Sequence, residues 1–237
     1  MVLQNINIIL VETSHPGNIG STARAMKVMG LTNLVLVNPK KFPSDESNSL
    51  AVGCKDILKN AKVTNKLSNA LKSSQINIGF TSRKRKANFP ILSIDECTDL
   101  ILKNKNKKIS ALFGNEQSGL SNTELLMCNY LVLIPTFRDY KSLNLSAAVQ
   151  IFAYELFKKS ISGSKSVNKL DKLATTKEKN YFFEQFFNLL TKTKFITQKN
   201  IKSLTRKIHI LFNKARLDSN EINILLGIIS SINKKIK

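Results

Sequence analysis

The sequence predicts an α/β domain built on a parallel sheet, followed by a small all-helical extension. Three observations carry this. Short apolar runs alternate with helix-like segments over about the first 160 residues, the pattern of strands buried on both faces and covered by helices. Two of those runs lead into turns that each open a helix, Gly114-Asn115-Glu116-Gln117-Ser118-Gly119-Leu120 and Ser142-Leu143-Asn144-Leu145-Ser146-Ala147-Ala148. From residue 181 onward only helical periodicity remains.

The elements follow in order. Residues 6–11 read as a buried strand. A helix is expected over 18–29, because Ile19, Ala23, Met26 and Met29 recur at spacings of three and four and Gly30 sits where a C-cap would. A strand at 34–37 stops at Asn38-Pro39, and a weaker helix covers 47–59. Short apolar runs follow near Val63 and at 76–80, then a helix at 95–102 and a strand at 109–113. Ser121-Asn122-Thr123-Glu124 has the spacing of a capping box, so a helix starts there. A strand at 131–134 and a helix over 143–158 complete the unit. The expected division is a domain over 1–160, a linker over 161–180 and a helical extension over 181–237. In the extension, Phe182, Phe183, Phe186 and Phe187 lie on one face and Ile201, Leu204, Ile208 and Leu211 on another. Asp218-Ser219-Asn220-Glu221 caps a third helix. Three helices of this size make a marginal core, so docking on another surface is expected.

Composition narrows the function. The formal charge is +21, from 37 Lys and Arg against 16 Asp and Glu. From Lys158 onward there are 18 basic and 5 acidic residues, against 19 and 11 before it. Such an excess suits a polyanionic partner, although a base-composition bias toward Lys and Asn produces the same count. No apolar run approaches the ~20 residues needed to span a bilayer, and no basic segment precedes the first apolar run, so neither membrane nor secretion is expected. Cys54, Cys97 and Cys128 are odd in number and lack Cys-x-x-Cys spacing, which fits a reducing cytoplasm and no zinc. His15 and His209 have no metal-ligand partners at useful spacing, so no metal is expected.

The turn at Gly114 has the Gly-x-x-x-x-Gly spacing of a P-loop, but Leu120 stands where the phosphate-binding lysine is needed, and nucleotide hydrolysis is excluded. No Gly-x-Gly-x-x-Gly occurs. What remains is a turn whose glycines allow close backbone approach, with the Glu116 carboxylate beside it. Asn18, Arg24, Ser142 and Asn144 all fall near strand ends, where open α/β sheets gather ligands. Arg24 is either a surface residue paired with a carboxylate or a planar fork for a phosphate. The run Arg83-Lys84-Arg85-Lys86 follows a strand end and reads as an RNA-backbone contact or a solvated loop. Tyr140 either stacks on a base or ribose or sits half-buried in its loop.

Taken together, Asn18 with Arg24, Gly114-x-Glu116-x-x-Gly119-Leu120, and Ser142-Leu143-Asn144 with Ser146 and Ala147 resemble the three motifs of the SpoU class of SPOUT methyltransferases. The match covers about the first 155 residues. The opening residues 3–15, the stretch Thr81-Ser82-Arg83-Lys84-Arg85 and the tail containing Glu221-Ile222-Asn223-Ile224-Leu225 are similar to the members that methylate the ribose 2′-hydroxyl at position 32 of the tRNA anticodon loop. The resemblance implies a SPOUT fold with a C-terminal trefoil knot, a homodimer, and S-adenosylmethionine as methyl donor. It implies that Phe80, Thr81, Ser82, Gly114, Asn115, Glu116, Ile134, Ser142, Leu143 and Asn144 surround the cofactor. Arg24, Asn18 and Ser142 then form the catalytic set, with Arg24 acting at the ribose beside a cofactor held by the other subunit. Arg24, Arg83, Arg85 and Tyr140 are the RNA-binding candidates. Two alternatives stay open: a SpoU enzyme acting on another tRNA position or on rRNA, and a catalytically silent RNA-binding protein of the same fold.

Overall fold

The computed structural model describes residues 3–82, 89–137, 142–161 and 173–236. Its strands are Ile6–Val11 (β1), Asn33–Val37 (β2), Lys62–Thr64 (β3), Ile76–Phe80 (β4), Ile91–Leu92 (β5), Ile109–Phe113 (β6) and Tyr130–Val132 (β7). All pairings are parallel, in the order β3-β2-β1-β6-β4-β7-β5. The chain starts mid-sheet and builds outward through β2 and β3. It then crosses β1 to add its remaining strands on the other side, with β6 filling the place next to β1. A parallel sheet with such a reversal gathers its ligand site beyond the carboxyl ends of the strands.

Both faces are buried because neighbouring residues of a strand point opposite ways. Ile8 and Leu10 pack with Leu34, Ile78 and Ala111 under Ile19, Met26 and Phe152, while Ile9 and Val11 pack with Val35, Leu112, Leu71 and Leu125 on the other side. Helix Pro16–Val28 (α1) buries Ile19, Ala23 and Met26 and leaves Arg24, Lys27 and Val28 exposed. The helix expected over 47–59 is instead two, Asp45–Leu50 (α2) and Lys55–Lys59 (α3), parted at Gly53, whose φ of +71° no helix accommodates. Leu67–Ala70 (α4) and β5 escaped the sequence reading because four residues and two are too few for any periodicity to show. Ile94–Lys103 (α5) and Asn122–Leu125 (α6) both carry the reciprocal Ser–Glu capping box, Ser93 with Glu96 and Ser121 with Glu124.

Two expected boundaries move for identifiable reasons. Strand β7 ends at Val132 rather than at residue 134, because its partner β4 ends at Phe80, which pairs with Val132 and leaves no ladder beyond. Helix Leu145–Ile161 (α7) starts after Asn144, whose Oδ1 accepts from the Ser146 N–H at 2.9 Å and so acts as its cap.

The extension comprises Thr176–Lys192 (α8), Ile201–Ala215 (α9) and Ser219–Lys235 (α10). Helix α8 begins inside the stretch expected as linker, and the signal was present: Thr175 and Glu178 form a capping box. Residues 162–172 lie outside the described residues. Phe182, Phe183, Ile208, Ile222 and Ile229 form a core of their own, too small to stand on its area alone. It docks at the amino-terminal end of the sheet. Asn77 Nδ2 donates to Thr176 Oγ1 at 2.9 Å, and Thr176 N–H to the Ser74 carbonyl at 2.9 Å. Asn213 Nδ2 donates to the carbonyls of Leu126 and Cys128 at 3.0 and 3.2 Å. The Arg216 guanidinium lies 5.3 Å from the Tyr130 ring centroid. Asn213→Ala leaves the buried Cys128 carbonyl and the part-buried Leu126 carbonyl without that donor, and a loss of about 1–3 kcal/mol is expected. Hydrogen exchange should show α8 to α10 opening faster with the sheet unchanged; identical protection in both would mean the joint is held elsewhere.

Candidate active site

Beyond the carboxyl ends of β4, β6 and β7 lies a cleft of about 860 Å³, within the 300–1,000 Å³ usual for small-molecule sites. Its base is aromatic. Phe80 and Phe113, the last residues of paired strands, stack at 4.4 Å with a 13° interplanar angle, and Phe152 of α7 tilts against Phe80 at 4.9 Å. Thr81 and Ser82 continue from β4, Leu133 and Ile134 from β7, and Ser142 and Leu143 lead into α7.

The loop after β6 is the tightest element. A Cβ on Gly114 would stand 2.2 Å from the Gly119 carbonyl carbon and the Leu120 nitrogen, both backbone atoms, so the loop closes on itself only around a glycine. Gly119 N–H donates to the Asn115 carbonyl at 2.8 Å, and the Asn115 amide reaches the Glu12 carbonyl at 2.7 Å. Gly114→Ala therefore forces the loop open. The expected result is loss of most ligand affinity in the cleft, about tenfold or more, with a lowered melting temperature; titration with S-adenosylmethionine checks it.

Glu116 lines the cleft, yet its carboxylate serves another element. Oε2 accepts from the Ser14 N–H at 2.9 Å and the Ser14 hydroxyl at 2.8 Å, and Oε1 accepts from Asn18 Nδ2 at 2.8 Å and the His15 N–H at 3.2 Å. Helix α1 has no side-chain cap of its own and no acidic residue in its first turn, so a carboxylate from 98 to 102 residues away sits at its positive end. Burial alone would raise the Glu116 carboxyl, but donation from Ser14 and Asn18 outweighs it and holds the group at about 2. Asn18 Oδ1 in turn accepts from Asn144 Nδ2 at 3.0 Å. One hydrogen-bonded line, Asn144 to Asn18 to Glu116 to Ser14, thus joins the three segments singled out from the sequence.

Of the expected cofactor residues, Phe80, Thr81, Ser82, Gly114, Asn115, Glu116, Ile134, Ser142 and Leu143 line the cleft. Asn144 is not among the lining residues; it is turned to Asn18 and to the cap of α7. Asn18 likewise acts through its neighbours, with both amide atoms engaged. Arg24 is exposed, is not part of the cleft wall, and has no carboxylate partner among the described residues. Arg83, Arg85 and Tyr140 lie outside the described residues. Phe113 and Leu133 were missed as lining residues; as the end of one strand and the residue following another, the carboxyl-end rule would have found both. Among the described residues, no cluster of His, Cys, Asp and Glu could hold a metal ion.

Fold and site together define a methyltransferase. Residues 5–154 match the model of the SpoU rRNA Methylase family, and the chain belongs to that family. Residues 177–237 match a second model, the C-terminal domain of the tRNA methyltransferase TrmJ. The tRNA (cytidine/uridine-2′-O-)-methyltransferase TrmJ of Sodalis glossinidius is 40% identical over 235 residues, 98% of this chain and 92% of that protein. The crystal structure of TrmJ from Z. mobilis ZM4 superposes with a TM-score of 0.87 at 27% identity, covering 96% of this chain and 98% of that one. The SpoU methyltransferase AviRb from Streptomyces viridochromogenes, solved with AdoMet, shares the fold at a TM-score of 0.54 and 21% identity, over 66% of this chain and 61% of its own.

Proposed function

We propose that this protein methylates the ribose 2′-hydroxyl of cytidine or uridine at position 32 of the tRNA anticodon loop, using S-adenosylmethionine and acting as a cytoplasmic homodimer. The observation that carries the reading is the hydrogen-bonded line through Glu116 and Asn18 that joins the three motif segments beside one cleft. Full-length similarity to TrmJ proteins, including the helical extension, supports tRNA as the substrate class. No helix among the described residues is long and apolar enough to cross a membrane. A trefoil knot formed by the cleft loops and α7 belongs to the same reading, supported by the likeness to SpoU structures.

The cleft suits the donor. Its volume accommodates a nucleoside with an amino-acid side arm, the Phe80 and Phe113 surfaces suit an adenine ring, and the Gly114 loop brings backbone polar groups close. Bound there, S-adenosylmethionine supplies a sulfonium-activated methyl group. Transfer is an in-line displacement, so the protein's task is to align a ribose oxygen and manage its developing charge. Ser142 stands in the wall with its hydroxyl unengaged among the described residues, and in this reading it bonds the ribose. The Arg24 guanidinium has five N–H donors and no acceptor atom, so it suits anchoring a phosphate and an incipient oxyanion rather than taking a proton. In this reading Arg24, which is outside the cleft wall of its own chain, serves the cleft of the partner subunit.

Incubation with labelled S-adenosylmethionine and unmodified tRNA, followed by mapping of the label, tests this. Label on the ribose of nucleotide 32 is expected. Label at another nucleotide moves the target within the family, and no label on any RNA removes the catalytic reading.

A further inference from the structure

A second cavity, of about 130 Å³, opens at the joint between the sheet and the helical extension. It sits at the amino-terminal end of β4, so the sheet separates it from the cleft. Asn77, Asn129, Lys179, Phe183, His209 and Asn213 define its chemistry. We propose that it is a pocket for the base of a single pyrimidine nucleotide, with Phe183 and His209 as the aromatic wall and the asparagine amides reading the polar edge of the ring.

Four features point this way. First, a cavity of about 150 Å³ holds one benzene ring, so 130 Å³ fits a six-membered heterocycle better than a fused purine. Second, the wall carries amides: Asn129, Asn180 and Asn213 line the cavity beside Asn77, whose Nδ2 is committed to Met127 and Thr176 and whose Oδ1 is buried away from it. An amide offers both a donor and an acceptor, as the polar edge of a pyrimidine ring requires. Third, the wall is aromatic. The Phe183 and His209 rings lie 3.9 Å apart at 41°, a surface on which bases stack. Burial pulls His209 down to about 4, so at neutral pH its ring is uncharged and can both donate and accept. Fourth, the charge is one-sided. No Asp or Glu lines the cavity. Lys179 is pulled down to about 8 by burial, with Lys107 adding to the effect and Glu178 opposing it. The Glu178 carboxylate is committed to the N–H and hydroxyl of Thr175. Lys179 thus stands at the rim as a cation suited to the phosphate that follows a base.

The nucleotide comes either free or as part of an RNA chain, and competition separates the two. The full chain is titrated at neutral pH with CMP and UMP, with AMP and ribose 5-phosphate as controls, by calorimetry or NMR. Saturable binding of CMP or UMP in the millimolar range is expected, with weaker AMP binding and none by ribose 5-phosphate. Thr123→Trp, at an exposed position on the rim in α6, should abolish it. Lys179→Met should weaken it roughly tenfold, as expected for a lost charged hydrogen bond. Both variants should still bind S-adenosylmethionine as the wild type does. Displacement by tRNA assigns the base to RNA, and undisturbed binding assigns the site to a free nucleotide. Absence of saturable pyrimidine binding overturns the proposal, as does binding that survives Thr123→Trp or is displaced by S-adenosylmethionine. None of these results depends on whether the main cleft is catalytic.

Discussion

Glu116→Ala is expected to lower methyl transfer about a hundredfold while the protein still folds. Four donors now converge on one carboxylate: the Ser14 N–H and hydroxyl, the His15 N–H and Asn18 Nδ2. With alanine they converge on nothing. The start of α1 loses the carboxylate that accepts from its backbone and the Gly114 loop loses its tie to that helix, at a cost of about 1–3 kcal/mol in stability. The larger consequence is geometric. The same residue fixes the position of the helix that carries Arg24 and, through Asn18, the Asn144 turn beside Ser142, and displacement of a reacting group by about 1 Å can reduce rate by about 10². Glu116→Gln isolates the charge from the shape, because its NH₂ group meets one of the existing donors head-on. If Glu116→Gln transferred methyl groups at the wild-type rate, the line from Ser14 to Asn144 would have no part in positioning.

The same carboxylate predicts a pH signature. Its folded pKa, about 2, lies below the ordinary 4.5, so its contribution to stability is complete above pH 4.5 and is lost as the pH falls toward 2. The difference in melting temperature between wild type and Glu116→Ala should shrink over that window. A constant difference would mean the carboxylate titrates as it does in the unfolded chain.

The sheet was readable because its strands are buried on both faces and therefore stand out as apolar runs, Ile6 to Val11 and Ile109 to Phe113 above all. The cleft was readable because strand ends are where such sheets bind, and nine of ten expected cofactor residues do line it. Hidden from the sequence was anything that depends on a distant partner. That Glu116 caps α1 is a relation across about a hundred residues, with no local pattern to announce it. Strand β7 looked longer than it is because Leu133 and Ile134 are as apolar as their neighbours; only the length of β4 says where the ladder stops. The split between α2 and α3 rests on one backbone angle at Gly53. The start of α8 at Thr176 is marked in the sequence only by a Thr-x-x-Glu cap, a weak signal until the phenylalanine face behind it is extended toward the amino terminus.

Arg24→Ala should reduce methyl transfer by about 10³, the scale for losing a charged group that stabilises a transition state, without changing affinity for S-adenosylmethionine. The second half of that expectation follows from the geometry, because Arg24 is outside the cleft wall of its own chain. Arg24→Lys keeps the charge but loses the planar two-pronged contact, so only part of the rate should return. The proposal that Arg24 serves the partner's cleft yields a sharper test. A mixture of Arg24→Ala and Gly114→Ala chains contains heterodimers in which one cleft is intact and faces an intact Arg24 from the other chain. Each such dimer has one working site of two, and random pairing makes half of all dimers mixed, so about a quarter of wild-type activity should appear from two nearly inactive parents. Were Arg24 to act within its own chain, every cleft in the mixture would lack one component, and combining the parents would restore nothing.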